Sequence, residues 1–492
     1  MPPAPLAGKS GLRDLAILFP LTLIAMLVLG YHPGLEDDAF YLAAIKRNLN
    51  PALFPHDADF FRLQFQATVF DKLIAASVRL THLPLDWAVL LWQIASIYLI
   101  LWGCWQIARR CFADAPAQWA AVTLVALLLS IPVSGTAINL ADQYLHPRNL
   151  ATAAIVWAIV ATLDRRFVIA GFLLAFAFAN HAIMASFGIS FCIFLGWQSH
   201  VERISIPHAA VFVLPLGWLF APASDSWRRA ASTRSFYYLS RWAWYEWLGV
   251  FAPVALLWLF RWIAKRNGSS GLKRFITRLV YFAIFQTAVG LIVMLPPQLE
   301  RLRPFEPMRY LQLVYLLFFL IAGGLLGQYV LGRQIYRWAL LFVPLGIGMF
   351  YAQRQLYPAS LHIELPGRAP QNDWLKAFAW IRQNTPADSL FALDPRYMQL
   401  PGEDFHGFRA LAERSALADL IKDGGMAARV PSLAPRWLRE VNATEGWRNF
   451  KAADFEKLKQ EFGVDWVVLV RPGVAGLICP YQNRGVLVCR LD

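Results

Sequence analysis

Residues 15–41 read LAILFPLTLIAMLVLGYHPGLEDDAFY, and the change of character within them governs how the rest of the chain is read. Positions 15–29 carry no charged side chain, and with their flanks they approach the roughly 20 apolar residues that cross a bilayer's hydrocarbon. Glu36, Asp37 and Asp38 follow directly, ahead of Phe40 and Tyr41. Three adjacent carboxylates at a helix end repel one another unless a cation or a reacting group engages them. Such crowding raises at least one pKa, as suits a general base. Solvated loop charge is the plainer alternative. No cleavage pattern follows the apolar run, so it is read as a retained helix.

The same pattern recurs. Runs near 86–107, 117–139, 149–163, 167–180, 182–197, 207–221, 246–262, 279–296, 310–331 and 338–351 join 15–31 to give about eleven expected transmembrane helices. Composition agrees: 58% of the 492 residues are hydrophobic and 16% charged, against about 25% charged in an ordinary soluble chain. Mean hydropathy is +0.43. The 20 Trp suit belts at the membrane interface. A net charge of +14 raises nucleic acid as a partner, but Arg and Lys are spread through short loops between apolar runs. Membrane topology and contact with lipid headgroups or phosphates account for that distribution, and no nucleic-acid partner is expected.

Orientation follows from the same loops. With the N-terminus inside, Arg109, Arg110, Arg165, Arg166, Arg203, the 261–278 loop, Arg333 and Arg337 face the cytoplasm, in line with the positive-inside bias. The odd helix count then puts the tail outside. Two domains are expected: a transmembrane domain over 1–356 with a long first outer loop at 32–85, and a small soluble α/β domain over 357–492. In the tail, 372–383 and 451–461 read as helices, and 389–393, 465–470 and 486–491 as strands bounded by turn residues. The five Cys form no metal-binding spacing. Cys104, Cys111 and Cys192 read as small apolar fillers. Cys479 and Cys489 flank a turn-like stretch and either close a hairpin, which needs an oxidising compartment, or remain thiols.

The unusual polar residues gather on the outer side. Asp142, His146 and Arg148 fall within seven positions at the mouth of an expected helix, and His181 follows Asn180 where two apolar runs meet. Interfacial filling and helix packing are the bland readings of these histidines. Arg228 and Arg229 stand in the fourth outer loop, and Arg301 and Arg303 in the fifth. Outer arginines run against the usual bias; guanidinium forks bind phosphate oxygens, although snorkelling to headgroups explains them equally. No expected helix centre contains Asp, Glu, Lys or Arg, whereas ion-coupled transporters keep ionisable groups near the midplane. Polar chemistry confined to one membrane surface fits an enzyme working on a lipid-linked substrate.

A first helix, an outer loop opening with adjacent acids and an aromatic, many further helices and a soluble C-terminal domain together resemble the GT-C glycosyltransferases. The stretch Asp37-Asp38-Ala39-Phe40-Tyr41 is similar to the acidic first-loop motif of protein O-mannosyltransferases and aminoarabinose transferases, with Asp in place of the usual second-position Glu. The resemblance implies that Asp37 takes the catalytic acidic position, with Asp38 and Glu36 beside it and Tyr41 as the aromatic. It implies a polyprenyl-phosphate or polyprenyl-diphosphate sugar as donor. Some members hold a divalent metal such as Mg or Mn between acidic loops; here Asp37 and Asp142 would be its ligands.

The expectation is therefore a GT-C-like α-helical polytopic glycosyltransferase of a bacterial inner membrane, its C-terminal domain periplasmic. It takes a sugar from a lipid-linked donor among membrane lipids and passes it to an acceptor on the outer face. Asp37 serves as base, and Asp142, His146, Arg148, His181, Arg228, Arg229, Arg301 and Arg303 bind substrate. Two alternatives stay open: a transporter or flippase of a lipid-linked sugar, and a non-catalytic membrane assembly protein.

Overall fold

The computed structural model describes residues 9–61, 66–196 and 223–491. The expected helix near 207–221, and Arg203, lie outside the described residues. In chain order the membrane part comprises α1 (Lys9–Leu29), α2 (Asp38–Leu49), α3 (Phe70–Thr81), α4 (Leu85–Cys111), α5 (Ala115–Leu127), the hairpin β1 (Pro132–Val133) and β2 (Ile138–Asn139), α6 (Pro147–Leu163), α7 (Phe167–Asn180) and α8 (Ala182–Gly196). It continues with α9 (Asp225–Ser232), α10 (Trp244–Arg266), α11 (Ser270–Met294), α12 (Leu311–Leu326) and α13 (Ile335–Leu356).

Among the described residues, six helices are long and apolar enough to cross a membrane: α1, α4, α10, α11, α12 with its flanks, and α13. The helices α5 to α8 are apolar but shorter, so of the eleven expected spans six meet that measure. The apolar run at 117–139 is not one helix. Its helix stops at Leu127, and the remainder folds back through Pro132 and Gly135 as the β1–β2 hairpin, because proline and glycine disfavour a continuing helix. The pair α7 and α8 turns back at His181, so that Phe167 and Gly196 lie together at the far end.

The surface identifies the solvent. On α10, Phe251, Trp258, Leu259 and Trp262 are exposed, as are Ile335, Leu340, Val343, Ile347 and Tyr351 on α13. Soluble monomers rarely expose apolar patches beyond a few hundred Å²; lipid is the environment in which such faces cost nothing. This is a multi-pass membrane protein.

The 32–85 segment is largely ordered as α2, a 3-10 turn at Ala58–Phe61 and α3, not an open loop. The C-terminal part adds α14 (Asp373–Asn384), β3 (Leu390–Ala392), α15 (Phe408–Ala412), β4 (Ser415–Ala416), α16 (Lys422–Arg429), α17 (Ala434–Ala443), α18 (Ala452–Phe462), β5 (Trp466–Val470), β6 (Ile478–Gln482) and β7 (Val486–Arg490). The strands form one sheet in the order β4-β3-β5-β7-β6. Strands β3, β4 and β5 run parallel, and β7 lies antiparallel to both β5 and β6. Trp466 and Val468 pack with Phe378 of α14 on one face, and Val467 and Leu469 pack with Phe455 of α18 on the other. A strand covered on both faces reads as a continuous apolar run, which is what WVVLV is. Cys479 and Cys489 are joined across β6 and β7.

This C-terminal sheet domain is clasped to the membrane part. Gly407 donates its N–H to the Gly34 carbonyl at 2.8 Å, Lys46 pairs with Glu413 at 2.7 Å, and Arg409 joins Asp57 to Asp423. These contacts bring α16 over the chain that leaves α1.

Candidate active site

A cavity of about 410 Å³ opens where α1 ends, α6 and α12 begin, and α16 seats. Glu36, Asp37, Asp142, Arg148, Arg234, Glu306, Arg309, Lys422 and Arg429 line it, with Tyr41, Tyr144, Tyr237 and Tyr357. Asp37 stands just before α2, its main-chain N–H donating to the Tyr144 hydroxyl at 3.3 Å. Its carboxylate meets the Lys422 ammonium at 2.8 Å, and Lys422 also pairs with Glu36. Burial by itself would raise the Asp37 pKa, but nearby positive charge, Lys422 first and Arg234 after it, outweighs burial and holds this carboxyl well below its ordinary value. For Lys422 burial acts downward, and Asp37 and Glu36 reverse it, so the ammonium is held charged.

Asp142 and Arg148 form a fork, with Arg148 Nε 3.2 Å from one carboxylate oxygen and a second contact to the other. His146 lies between the two acids. Its Nδ1 accepts the Arg148 N–H at 2.9 Å and so caps α6. A neutral ring then carries its proton on Nε2, which faces Asp37 at 4.0 Å and has no hydrogen-bond partner. Burial, and next the charge of Arg148, lower the His146 pKa well below its usual range. Below this layer Gln93 donates to the Asp142 carbonyl and Gln312 to the Leu140 carbonyl, both at 2.8 Å. These bonds fix the backbone that presents Asp142.

On the opposite wall Glu306 pairs with Arg309 at 2.6 Å and with Arg429 at 3.1 Å. Buried N–H groups of Arg148, Arg309 and Arg429 have no acceptor among the described residues. Each such donor costs on the order of 1–3 kcal/mol until an acceptor arrives. Glu36 and Glu306 both adopt left-handed backbone, with φ of 51° and 52°, a conformation that is costly for a residue with a side chain and concentrates at functional sites.

Tyr41 and Arg429 also line a second cavity of about 400 Å³. Its other walls include Ala182, Ile183, Trp227, Pro304, Phe305 and Pro431, with His181 and Arg301 as polar points. A polar chamber thus adjoins a mainly apolar one across a single arginine and a single tyrosine.

The fold has a solved counterpart. Over 94% of this chain and 70% of the other, the structure superposes on archaeal oligosaccharyltransferase AglB from Archaeoglobus fulgidus, solved in complex with an inhibitory peptide and a dolichol-phosphate, with a TM-score of 0.50 and 12% identity. The fold is thus similar to that of this oligosaccharyltransferase. An apo oligosaccharyltransferase from the same organism gives a TM-score of 0.46 and 11% identity, over 93% of this chain and 69% of that one. At such identities the likeness establishes the fold alone. No curated protein matches the chain in sequence. Residues 372–423 match a family described as a domain of unknown function, DUF6798; this stretch ends in the turn of α16 that carries Lys422.

The structure gathers Glu36, Asp37, Tyr41, Asp142 and Arg148 around the polar cavity, sets His146 between its acids, and places His181 and Arg301 in the apolar one. Four expectations need correction. Asp38 is turned away from the cavity: it is 1% exposed and accepts the Gly34 N–H at 2.7 Å. Its pKa is raised to about 7, chiefly by burial, with the charge of Asp142 adding a smaller push. Arg228 and Arg229 are exposed and line neither cavity, Arg228 pairing with Glu300 at 3.0 Å. Arg303 stacks on Tyr238 at 5.0 Å and likewise lines neither. Asp37 and Asp142 do not suit a shared metal: Lys422 and Arg148 already neutralise them, and they contact opposite nitrogens of His146.

Arg234 and Arg309 belong to the arginine-bearing fourth and fifth outer loops, but Lys422, Arg429 and Glu306 are not among the sequence candidates. Arg309 and Glu306 carry a faint signal, since charges immediately before the apolar run at 310–331 must end near the membrane surface. Lys422 and Arg429 carry none, because nothing local marks them off from the other charges of the tail.

Proposed function

We propose that the protein is a membrane glycosyltransferase that moves a sugar from a polyprenyl-phosphate-linked donor to an acceptor on the outer face of a bacterial inner membrane. The observation that carries this reading is the junction of the two cavities. A lipid-linked sugar phosphate has an apolar tail, an anionic centre and a polar head, and the apolar chamber, Arg429 with Arg309, and the acid-lined chamber follow in that order. The arginine-rich opposite end, where Arg110, Arg165, Arg274 and Arg278 line a separate cavity of about 280 Å³, supports a cytoplasmic placement for that end.

In this mechanism the acceptor's O–H or N–H hydrogen-bonds to Asp37, which takes the proton as the acceptor attacks the anomeric carbon. The bond from that carbon to the phosphate oxygen breaks, and the lipid phosphate leaves with its charge. Arg429 and Arg309, with N–H groups short of acceptors, stabilise that charge where water is scarce. Lys422 sets Asp37 aside in the free enzyme. Substrate entry that draws Lys422 away returns the carboxyl toward ordinary basicity.

The test is direct. Full-length protein in proteoliposomes is supplied with polyprenyl-phosphate-linked hexoses, and release of polyprenyl phosphate is measured with and without Asp37→Asn. Release that needs Asp37 supports the transferase; release unchanged in the variant, or no association of polyprenyl phosphate with the protein, sinks it.

A further inference from the structure

Behind the cavity wall, three segments distant in sequence bring His32, Glu364 and His406 together, their ligand atoms all within 4.8 Å of one another. His32 follows α1, Glu364 belongs to the connection into the C-terminal domain, and His406 to a loop of that domain. Main-chain bonds fix all three. Tyr31 donates to the His362 carbonyl at 3.0 Å, Glu364 donates to the Tyr31 carbonyl at 2.9 Å, and Leu35 bridges to His406. The cluster is separate from the polar cavity, although Tyr357 of that cavity packs its ring 4.8 Å from the ring of His32.

With both rings neutral, the hydrogen bonds here do not close. His406 Nδ1 lies 3.1 Å from the Glu403 carbonyl oxygen, which can only accept, so Nδ1 bears the proton. In the neutral ring Nε2 then offers a lone pair, yet it faces a Glu364 carboxylate oxygen at 3.3 Å, another acceptor. His32 Nδ1 stands 3.8 Å from the same oxygen, in a side chain 1% exposed, with no hydrogen-bond partner. The second Glu364 oxygen is also buried and unpartnered. Three electron-pair donors therefore converge on one buried point. A histidine whose far N–H is tied to a carbonyl is the arrangement metal-bound imidazoles adopt, because that bond fixes both tautomer and ring orientation.

We propose that His32, Glu364 and His406 bind a structural zinc ion that staples the chain leaving α1 to the C-terminal domain. Two imidazoles and a carboxylate are ordinary zinc donors, a water completes the tetrahedron, and bonds of roughly 2.0–2.2 Å set the donor atoms roughly 3.3–3.6 Å apart. The separations of 3.3 and 3.8 Å to the Glu364 oxygen already approach this, and the wider gap between the two histidines, within 4.8 Å, closes by rotation of the rings toward the ion. Magnesium and calcium prefer larger all-oxygen sets, which this cluster does not offer. The ion touches no substrate. It acts on position: His406 adjoins Phe405, whose carbonyl accepts the Glu36 N–H at 2.8 Å, so the ion holds the turn that presents Glu36 and Asp37. The inference goes beyond the transferase reading and does not depend on it.

The experiment uses the full chain in detergent, purified by a tag without histidines. Bound metal is measured by mass spectrometry after dialysis, and melting is followed by tryptophan fluorescence before and after chelation and after adding ZnCl2 or MgCl2. About one zinc per chain is expected, with a melting temperature that falls by several degrees on chelation and recovers with zinc but not magnesium. His32→Gln and Glu364→Gln should lose the bound zinc while eluting like the parent protein. Where a variant does not fold, the parent protein's chelation experiment decides. Absence of stoichiometric zinc together with an unmoved melting curve overturns the proposal, and leaves a protonated His406 paired with Glu364. Full zinc retention in both folded variants overturns it too, since the metal then sits elsewhere. Neither readout involves sugar transfer, so this proposal and the transferase reading fail independently.

Discussion

The two ends of the helix bundle both carry arginine-lined cavities, and they are built differently. At one end Arg110, Arg165, Arg274 and Arg278 line a space that no acid lines among the described residues, although Asp164 pairs with Arg110 at 2.6 Å beside it. At the other, five cations and four carboxylates interleave, contributed by the chain after α1, by the segments entering α6 and α12, by Arg234 after α9, and by the C-terminal sheet domain, whose residues follow hundreds of positions after α1. A basic mouth that meets headgroups needs only charge. A reaction chamber needs charges held against each other, some neutralised and some left short of partners, and that demands contributions from several elements. The difference separates membrane orientation from chemistry, and substitutions at each end measure it.

The largest effect is expected at Asp37. Asp37→Asn keeps the side chain's size and removes the proton acceptor, so transfer should fall by about 10²–10⁴-fold with donor binding little changed. Steady-state kinetics on the reconstituted protein check this. Next comes Arg429, which lies in both cavities. Arg429→Ala removes a charge-assisted donor to the phosphate and should weaken polyprenyl-phosphate binding by roughly 10- to 100-fold, as read by titration of the solubilised protein. A similar loss on Arg274→Ala, at the far end, would erase the distinction between the two mouths.

Lys422 sharpens the comparison through pH. The Asp37 pKa is depressed in the folded protein, so the ionised carboxylate persists as pH falls until that low value is reached. Lys422→Met removes the foremost of the charges that depress it. The acidic limb of the pH–rate profile should therefore begin at higher pH in the variant, while the alkaline limb stays in place. An acidic limb that does not move would show that Lys422 is not what tunes Asp37.

Legibility in the sequence followed the range of the interactions. Apolar runs and the two-sided strand WVVLV are local patterns, and they mark most of the helices and the core of the sheet. The cluster from Asp142 to Arg148 is local as well, since seven residues at one helix mouth must share a neighbourhood. Hydropathy misjudged 117–139 because averaging hides the turn that Pro132 and Gly135 enforce. It read α2 as loop because the helix rests on burial against α15 and α3, and its own sequence DAFYLAAIKRNL is only weakly patterned. Lys422 was out of reach for a different reason: it contacts Asp37 across 385 positions, and only the docking of the C-terminal domain creates that pair. Arg228 and Arg229 were overvalued since charge in a loop says nothing about which way the side chain faces.

Arg228 yields the smallest expected effect, and its value lies in the contrast. It lies at the same end of the bundle as Arg301, it stands in a loop rich in aromatics, and on sequence the two are equally good phosphate ligands. In the fold Arg228 is half exposed and spends its guanidinium on Glu300, while Arg301 enters the wall of the apolar cavity. Exposed ion pairs contribute little to stability because water and salt screen them, and a group outside both cavities meets no donor. Arg228→Ala should therefore change transfer and melting by less than about twofold and by little in temperature, whereas Arg301→Ala should weaken donor binding measurably. If the two variants behave alike, charge at the outer surface is all that matters, and the cavity walls do not select the lipid.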